Sequence, residues 1–443
     1  MRKRYDPNVN KRQFLKAALV SPALALSSQE RLTNWSGNLT YGTDHLEEAS
    51  SLDQIRSVIK SNTKLKVLGS RHCFNTIADS QHHLLSLKPM REISLNSTAK
   101  TVSIQPGVTY GQLGPYLDER GFALHNLASL PHISVAGACT TATHGSGEKN
   151  ANLASAVSAL EFLNAEGDLI KLSKSDGEPF NAAVVGLGAI GVLTSLTLTV
   201  EPTYKVRQYV YQNLPLAQMK SNFDAIQAAG YSVSLFTDWQ NSNIREVWIK
   251  ARAPFAAPQE FFGAKLATHN LHPISELSPE NCTEQLGIPG PWYERLPHFK
   301  MGFTPSAGKE LQSEYLIPRR NAVDAILAIE RLRNQITPHL LISEIRTIAA
   351  DDLWMSTAYH QPSVAIHFTW KPDWPAVKAL LPAIERELAP YAARPHWGKL
   401  FTMKPADLQS RYEKLPDFIR FARKHDPSGK FRNTFLDQNI FTL

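Results

Sequence analysis

The sequence predicts an α+β fold divided into two domains. Three observations carry that expectation. At 443 residues the chain exceeds one ordinary core. β-branched runs and capped amphipathic helices are both present, yet no G-x-G-x-x-G follows a strand in a βαβ unit, which disfavours a Rossmann domain. Finally, the pattern changes at Pro202, beyond which longer helices alternate with strands.

In chain order, Thr33 to Tyr41 is polar and glycine-containing and reads as a leading loop. Ser51 to Asn62 opens with Ser-Leu-Asp-Gln and spaces Leu52, Ile55, Val58 and Ile59 as one helical face, so it reads as a capped helix. A short strand at 65–69 follows, then β-type runs from Leu84 to Ile104, closed by the turn Pro106-Gly107. Tyr110 to Arg120 reads as a helix stopped by Gly121. Ala156 to Ser173 reads as a hairpin with Glu166-Gly167 at its tip, Phe180 to Ala189 as a short helix, and Gly191 to Val200 as a strand. Past Pro202, helices are expected at Met219 to Ala229, Asn321 to Ile336, Trp374 to Ala393 and Asp407 to Lys424. Strands are expected at Tyr231 to Asp238, Glu246 to Ala251, Leu340 to Ile348 and Val364 to Trp370. Residues 253–310 are rich in Pro and Gly with little periodicity and read as a long loop, either a lid or a wandering connection.

A hydrophobic fraction of 43% and a charged fraction of 20% are those of a globular protein, and no run is apolar enough for a membrane span. The net charge of +7 is spread without a basic block, which gives no support to nucleic-acid binding. Cys73, Cys139 and Cys282 are too scattered for a disulfide framework or a zinc site. His82-His83, His125, His132, His144, His269 and His272 lack a metal-ligand spacing, and no metal is expected. There is no G-x-S-x-G. At the N-terminus, Lys11-Arg-Gln-Phe-Leu-Lys16 precedes the apolar run Ala17 to Ala25. That resembles a twin-arginine export signal in a weaker Lys-Arg form, so residues 1–30 are read as an export signal or a disordered arm. The implied location is periplasmic or exported, with a cytoplasmic enzyme as the alternative. Nothing in the sequence calls for an oligomer, and a monomer is expected.

Two stretches carry the chemistry. Leu130-Pro-His-Ile-Ser-Val-Ala-Gly-Ala-Cys-Thr-Thr-Ala-Thr-His-Gly-Ser-Gly147 holds three glycines and no charged Asp, Glu, Lys or Arg. Small residues let the backbone approach a ligand, and amides and hydroxyls can bond a pyrophosphate. From these residues alone a tightly packed turn is equally compatible. The second stretch is Leu65-Lys-Val-Leu-Gly-Ser-Arg-His-Cys-Phe-Asn75, a strand running into a small polar turn.

Together these stretches resemble the flavin-binding domain of the vanillyl-alcohol-oxidase family of FAD enzymes, within it the alditol oxidase branch. There the signatures read G-S-G-H-S-F-N and P-H-I-S-V-A-G, followed by T-H-G-S-G. The resemblance implies FAD attached through His72. It implies further cofactor contacts at Val67, Leu68, Gly69, Ser70, Arg71 and Cys73, at Ser134, Gly137, Cys139, Ala142, Thr143, Gly145, Ser146 and Gly147, at Ile190, Gly191 and Val192 in the L-G-x-x-G-V turn, and at His396. The sequence departs from the branch at Arg71, where the family has Gly, and at Cys73, where it has Ser. The implied architecture is an FAD-binding domain at 31–202, a substrate (cap) domain with an antiparallel sheet at 203–405, and a tail at 406–443 that returns to the first domain.

Two strands of the second half carry polar residues at period two. Glu344 and Arg346 share one face of Ile342 to Ile348, and His367 and Thr369 share one face of Ala365 to Trp370. On periodicity alone this pattern reads first as a solvated face. The wording S-E-I-R-T-I-A-A-D-D-L-W, H-F-T-W and, at Arg394 to Lys399, R-P-H-W-G-K resembles alditol oxidases. The resemblance makes Glu344, Arg346, His367 and Lys399 catalytic, and Ser134, Glu344, Arg346, Thr369 and Lys399 polyol-binding. The implied activity is oxidation of the terminal hydroxyl of a linear polyol, with oxygen reduced to hydrogen peroxide. The proton acceptor is His367 or Lys399. The alternatives are an aldonolactone oxidase or dehydrogenase of the same fold, and a carbohydrate-binding protein without turnover.

Overall fold

The glycine-rich stretch is not a turn throughout. Val135–Thr140 forms a short helix behind Ser134, packed so closely that a Cβ on Gly137 would stand 2.7 Å from Ser134 Oγ. This helix sits in a computed structural model that describes residues 31–252, 255–302 and 310–442. The export-signal stretch expected at 1–30 lies outside the described residues.

The helix at Leu52–Ser61 forms as its cap predicts, with the Ser51 side chain accepting from Gln54 N. Lys66–Leu68 pairs in parallel with Leu84–Ser86, which also pairs in parallel with Leu46–Glu48. An antiparallel sheet runs Ile93–Asn96, Thr101–Ile104, Val192–Thr199, Val157–Leu163, Leu169–Ser173. Its apolar side joins a large core with residues from the end of the chain, among them Phe418, Ile419, Leu436 and Phe441. The buried Lys66 ammonium ties these parts together, donating to Gly188 O at 2.9 Å and Phe431 O at 3.1 Å. Leu32–Leu443 forms one compact unit.

Among the described residues the second half builds a ten-stranded antiparallel sheet. Its centre runs Asn243–Ala251, Ser232–Thr237, Leu340–Ile348, Ser363–Trp370, Leu311–Pro318. Alternation assigns its two faces. Leu235, Ile345, Ile366, Phe368 and Tyr315 pack with Phe223, Ile326 and Leu381 from the helices Leu216–Gln227, Ala322–Glu330 and Trp374–Leu388. The intervening residues, Phe236, Glu344, His367 and Glu314, form one cross-strand row on the opposite face.

Four expectations need correction. Phe180 to Ala189 is helical only over Glu178–Val184, because Leu187 and Gly188 take left-handed backbone at φ 53° and 63°. Asn321 to Ile336 divides into Ala322–Glu330 and Arg333–Ile336, since Leu332 leaves helical geometry at φ −88°, ψ 2°. Asp407 to Lys424 divides into Pro405–Gln409 and Leu415–His425; Pro416 lacks an N–H and fits the first turn of a new helix, not the interior of a continuous one. The expected loop at 253–310 contains short strands at Glu260–Phe261, Ala264–Leu266 and Gly290–Pro291 and a helix at Trp292–Arg295. No helix among the described residues is long and apolar enough to cross a membrane.

Candidate active site

The polar row of the large sheet faces a cavity of about 720 Å³. One wall is the sheet face, with Glu344, Arg346, His367, Thr369 and Lys399. The other comes from residues 66–74, from Ile133, Ser134, Gly137, Ala138, Thr140, Thr141, Thr143 and His144, and from residues 187–188. Small side chains shape this second wall. A Cβ at Gly69 or Gly137 would meet Ser134 Oγ at 2.7 Å, so glycine at both positions keeps the space around that hydroxyl open. Ser134 N donates to Ser70 Oγ at 3.1 Å, joining the two cofactor stretches.

His72 stands on this wall with its ring stacked on Trp35 at 4.6 Å and against His132 at 4.7 Å. Burial, then the neighbouring His132, pushes its imidazole down to about 3, so it is neutral and keeps a lone pair. Arg71 takes φ 62°, the conformation a glycine adopts freely. Its carbonyl accepts from Trp35 N at 2.8 Å, and its guanidinium donates to Thr33 O at 3.0 Å. The departure from glycine therefore keeps the turn and adds a tie to the segment before it.

The catalytic expectations converge around a residue the sequence reading missed. Glu314 is 1% exposed, and its carboxylate accepts from Arg346 Nη2 and Lys399 Nζ, each at 2.7 Å. Burial pushes this carboxyl up, but Lys399, His144 and Arg346 outweigh it and hold it well below the usual range. His144 Nε2 stands 3.4 Å from Glu314 Oε1, at ion-pair distance only. Lys399 Nζ also reaches His367 Nδ1 at 2.8 Å, while His367 Nε2 lies 3.0 Å from Thr369 Oγ1. Burial and the Lys399 charge hold His367 neutral. Burial likewise lowers Lys399, although Glu314 opposes it. Glu344 is kept ionised against its burial by Arg346 and by His298, whose Nε2 lies 2.7 Å from Glu344 Oε1. Two carboxylates and two cations thus line one wall with no net charge, alternating acceptors with donors.

Glu314 was legible in principle. Gln312 and Glu314 share a face at the same period-two spacing as Glu344 and Arg346, and both line the cavity. His298 lies in a segment without periodicity, and no sequence signal marks it.

The cofactor expectations divide. His72, Val67, Leu68, Gly69, Ser70, Arg71, Cys73, Ser134, Gly137, Thr143 and His396 line the cavity. Cys139, Ala142, Gly145, Ser146, Gly147, Ile190, Gly191 and Val192 do not line it. Cys139 is fully buried 4.0 Å from the Tyr110 hydroxyl. Ser146 Oγ donates to Val233 O, and Gly147 N donates to Thr347 O at 2.9 Å, so these two join the stretch to the large sheet. Gly191 is held by packing: a Cβ there would meet Leu163 O at 2.3 Å.

This chain is 44% identical to the alditol oxidase of Streptomyces sp. (strain IKD472 / FERM P-14339) over 409 residues, spanning 91% of this chain and 98% of that one. The chain belongs to the alditol oxidase family. A more distant relative within the same fold is the L-gulono-1,4-lactone dehydrogenase of Mycobacterium tuberculosis, 26% identical over 422 residues, covering 91% of this chain and 97% of that one. The FAD binding domain profile matches residues 45–173, and the D-arabinono-1,4-lactone oxidase profile matches residues 304–439. The fold is shared with cholesterol oxidase from B. sterolicum, at a TM-score of 0.75 and 13% identity over 92% of this chain and 96% of that one. It is also shared with a chitooligosaccharide oxidase, at 0.72 and 12% over 92% and 94%. The α+β fold of the family is thus the vanillyl-alcohol-oxidase type.

Proposed function

We infer that the protein is an FAD-dependent alditol oxidase, converting the terminal primary alcohol of a linear polyol to the aldose. The single observation that carries this reading is the neutral wall of Glu314, Glu344, Arg346, His367, Thr369 and Lys399 facing the glycine-lined wall that holds His72. A chain of hydroxyl groups matches alternating acceptors and donors, and an uncharged substrate matches their zero sum.

The residues fit FAD. Gly69, Ser70, Gly137, Ala138 and Gly188 leave a cradle that larger side chains would fill, and neutral His72 offers a nucleophilic nitrogen for attachment. When bound, FAD supplies the acceptor for the hydride lost from the carbinol carbon and passes the electrons to oxygen, giving hydrogen peroxide. The protein supplies the rest. Glu344 accepts from substrate hydroxyls and orients the chain. Arg346 stabilises charge on the reacting oxygen. Lys399, an ammonium at rest beside Glu314, takes the hydroxyl proton in the fraction of molecules where it is the free amine, a fraction enlarged because burial lowers its pKa; 15% of its side chain remains exposed. His367 serves as its support, because both ring nitrogens are already engaged.

The aldonolactone reading keeps two supports, the D-arabinono-1,4-lactone oxidase profile over 304–439 and the more distant L-gulono-1,4-lactone dehydrogenase. Anaerobic flavin reduction by xylitol, sorbitol and galactonolactone separates the two. Rapid reduction by the alditols with little by the lactone supports the proposal, and the reverse order overturns it.

The N-terminal stretch Lys11 to Ala25 supports export by the twin-arginine route. A mature protein recovered outside the cytoplasm, with its N-terminus beyond Ala25, is the expected result. Intact protein beginning at Met1 and confined to the cytoplasm would refute it.

A further inference from the structure

Lys250 is fully buried on the strand Asn243–Ala251, one layer behind the cavity wall. Its side-chain nitrogen donates to Leu296 O and to Pro297 O at 3.0 Å, and stands 3.1 Å from His298 Nδ1. Among the described residues no carboxylate bonds it directly. His298 lines the cavity and turns its other nitrogen, Nε2, to Glu344 Oε1 at 2.7 Å. Its backbone is anchored on both sides, His298 N donating to Ser129 O at 3.1 Å and Thr283 N to His298 O at 2.9 Å. Phe236 and Trp248 pack edge-on to the ring, each at 5.4 Å.

We propose that Lys250 and His298 are a positioning pair for the polyol site: the lysine fixes which ring nitrogen of His298 carries the proton, and His298 thereby fixes the Glu344 carboxylate for the substrate's hydroxyls. The inference rests on the alditol oxidase reading above.

Burial lowers Lys250 to about 7, and its ammonium form, which can only donate, requires Nδ1 to accept; the Glu344 carboxylate at Nε2 asks for the same tautomer. Burial, and then the Lys250 charge, pushes the imidazole down to about 4, so the ring carries a single proton. That proton must sit on Nε2, where it donates to Glu344. The opposite tautomer would set a lone pair against a buried carboxylate. Glu344 then has one oxygen held by His298, with Arg346 Nε 3.5 Å from the same oxygen. Its second oxygen has no hydrogen bond from the protein among the described residues and is left for substrate. The same device recurs across the row, where Lys399 faces His367 Nδ1 and His367 Nε2 faces Thr369. There the lysine is at the chemistry; here it is one layer removed.

Two readouts test the pair on the flavin-loaded enzyme. Nitrogen NMR of protein labelled with ¹⁵N-histidine, with the His298 signal identified by its absence from His298→Gln, reports the tautomer directly. The Nε2–H form in the wild type, and its loss or mixing in Lys250→Met, are expected. Anaerobic flavin reduction titrated with xylitol separates binding from chemistry. Lys250→Met and His298→Leu should raise the apparent Kd for xylitol roughly tenfold, the cost of one charge-assisted hydrogen bond, with a much smaller change in the limiting rate. His298→Gln, whose amide can accept from Lys250 and donate to Glu344, should recover most of the affinity. An Nδ1–H tautomer in the wild type overturns the proposal, as does unchanged xylitol affinity in both Lys250→Met and His298→Leu. If xylitol leaves the wild-type flavin oxidised, the functional reading falls, while the tautomer measurement still decides the pairing.

Discussion

Lys399 Nζ donates to Glu314 Oε2 at 2.7 Å, and the partner carboxylate is 1% exposed. Glu314 also holds Arg346 at 2.7 Å, so one buried carboxylate fixes both cations of the site. Replacing it with Gln leaves two cations without their counter-charge. Breaking a buried pair from one side costs about 3–5 kcal/mol. Glu314→Gln is therefore expected to lower the urea midpoint and to slow flavin reduction by polyol at least about tenfold, because neither Arg346 nor Lys399 keeps its place. A variant with wild-type stability and rate would show that the carboxylate organises nothing.

Lys399 as the proton acceptor gives a pH dependence with a definite sign. Burial lowers its pKa below the ordinary lysine value. The amine works only without its proton, so the rate of flavin reduction should rise with pH and level off below the range of an ordinary lysine. Lys399→Ala should remove this limb and cost about 10²-fold or more in rate. His367→Ala should cost less in rate and should shift the limb, since His367 Nδ1 is a direct partner of Nζ. Unchanged reduction rates in both variants would sink the assignment.

His72 makes a separate prediction about attachment. Its ring is neutral and braced between Trp35 and His132. In the wild type, flavin should stay with acid-precipitated protein; in His72→Ala it should leave with the supernatant. Arg71→Gly should retain attachment, because glycine adopts φ near 62° without strain. Loss of attached flavin in Arg71→Gly would mean that the tie from Arg71 to Thr33 is required.

Glu246 offers a stability test away from the chemistry. It is 2% exposed and among the described residues accepts only from Trp248 Nε1, at 2.7 Å, with Arg245 4.0 Å away. Burial, opposed by Trp248 and Arg245, raises its pKa from 4.5 to about 7. The folded state thus holds more protons than the unfolded one between those values, and stability falls as pH rises across that window. Glu246→Gln keeps the acceptor for Trp248 and removes the titration. It should raise the melting temperature at pH 8 by several degrees, reflecting at most about 3 kcal/mol, and leave it nearly unchanged near pH 4.5. Equal shifts at both pH values would contradict a raised pKa.

The sequence made the paired strands and much of the site legible, for identifiable reasons. Period-two spacing put Glu344 with Arg346 and His367 with Thr369, and the register aligns Glu344 directly with His367. It could not choose between a solvated and a buried face, because that depends on which surface the helices cover. Glu314 escaped because its strand, Leu311–Pro318, lies between the Pro- and Gly-rich stretch that ends at 310 and the helix expected from Asn321, a span over which no element was expected. His298 escaped because a loop residue acquires its partners only from tertiary packing. The glycine-rich stretch was legible as a close approach of backbone, though not as a helix, since Val135–Thr140 is short and owes its stability to packing more than to propensity. The break before Pro416 was readable from the proline itself.

The central claim is a flavin that accepts a hydride from a linear polyol. The direct test is the visible spectrum of the purified, oxygen-free protein on mixing with xylitol, followed by readmission of air. The predicted result is bleaching of the flavin bands by xylitol, much slower bleaching by galactonolactone, and return of the colour with one hydrogen peroxide per turnover. A flavin that xylitol and sorbitol leave oxidised, while the lactone reduces it, would contradict the account.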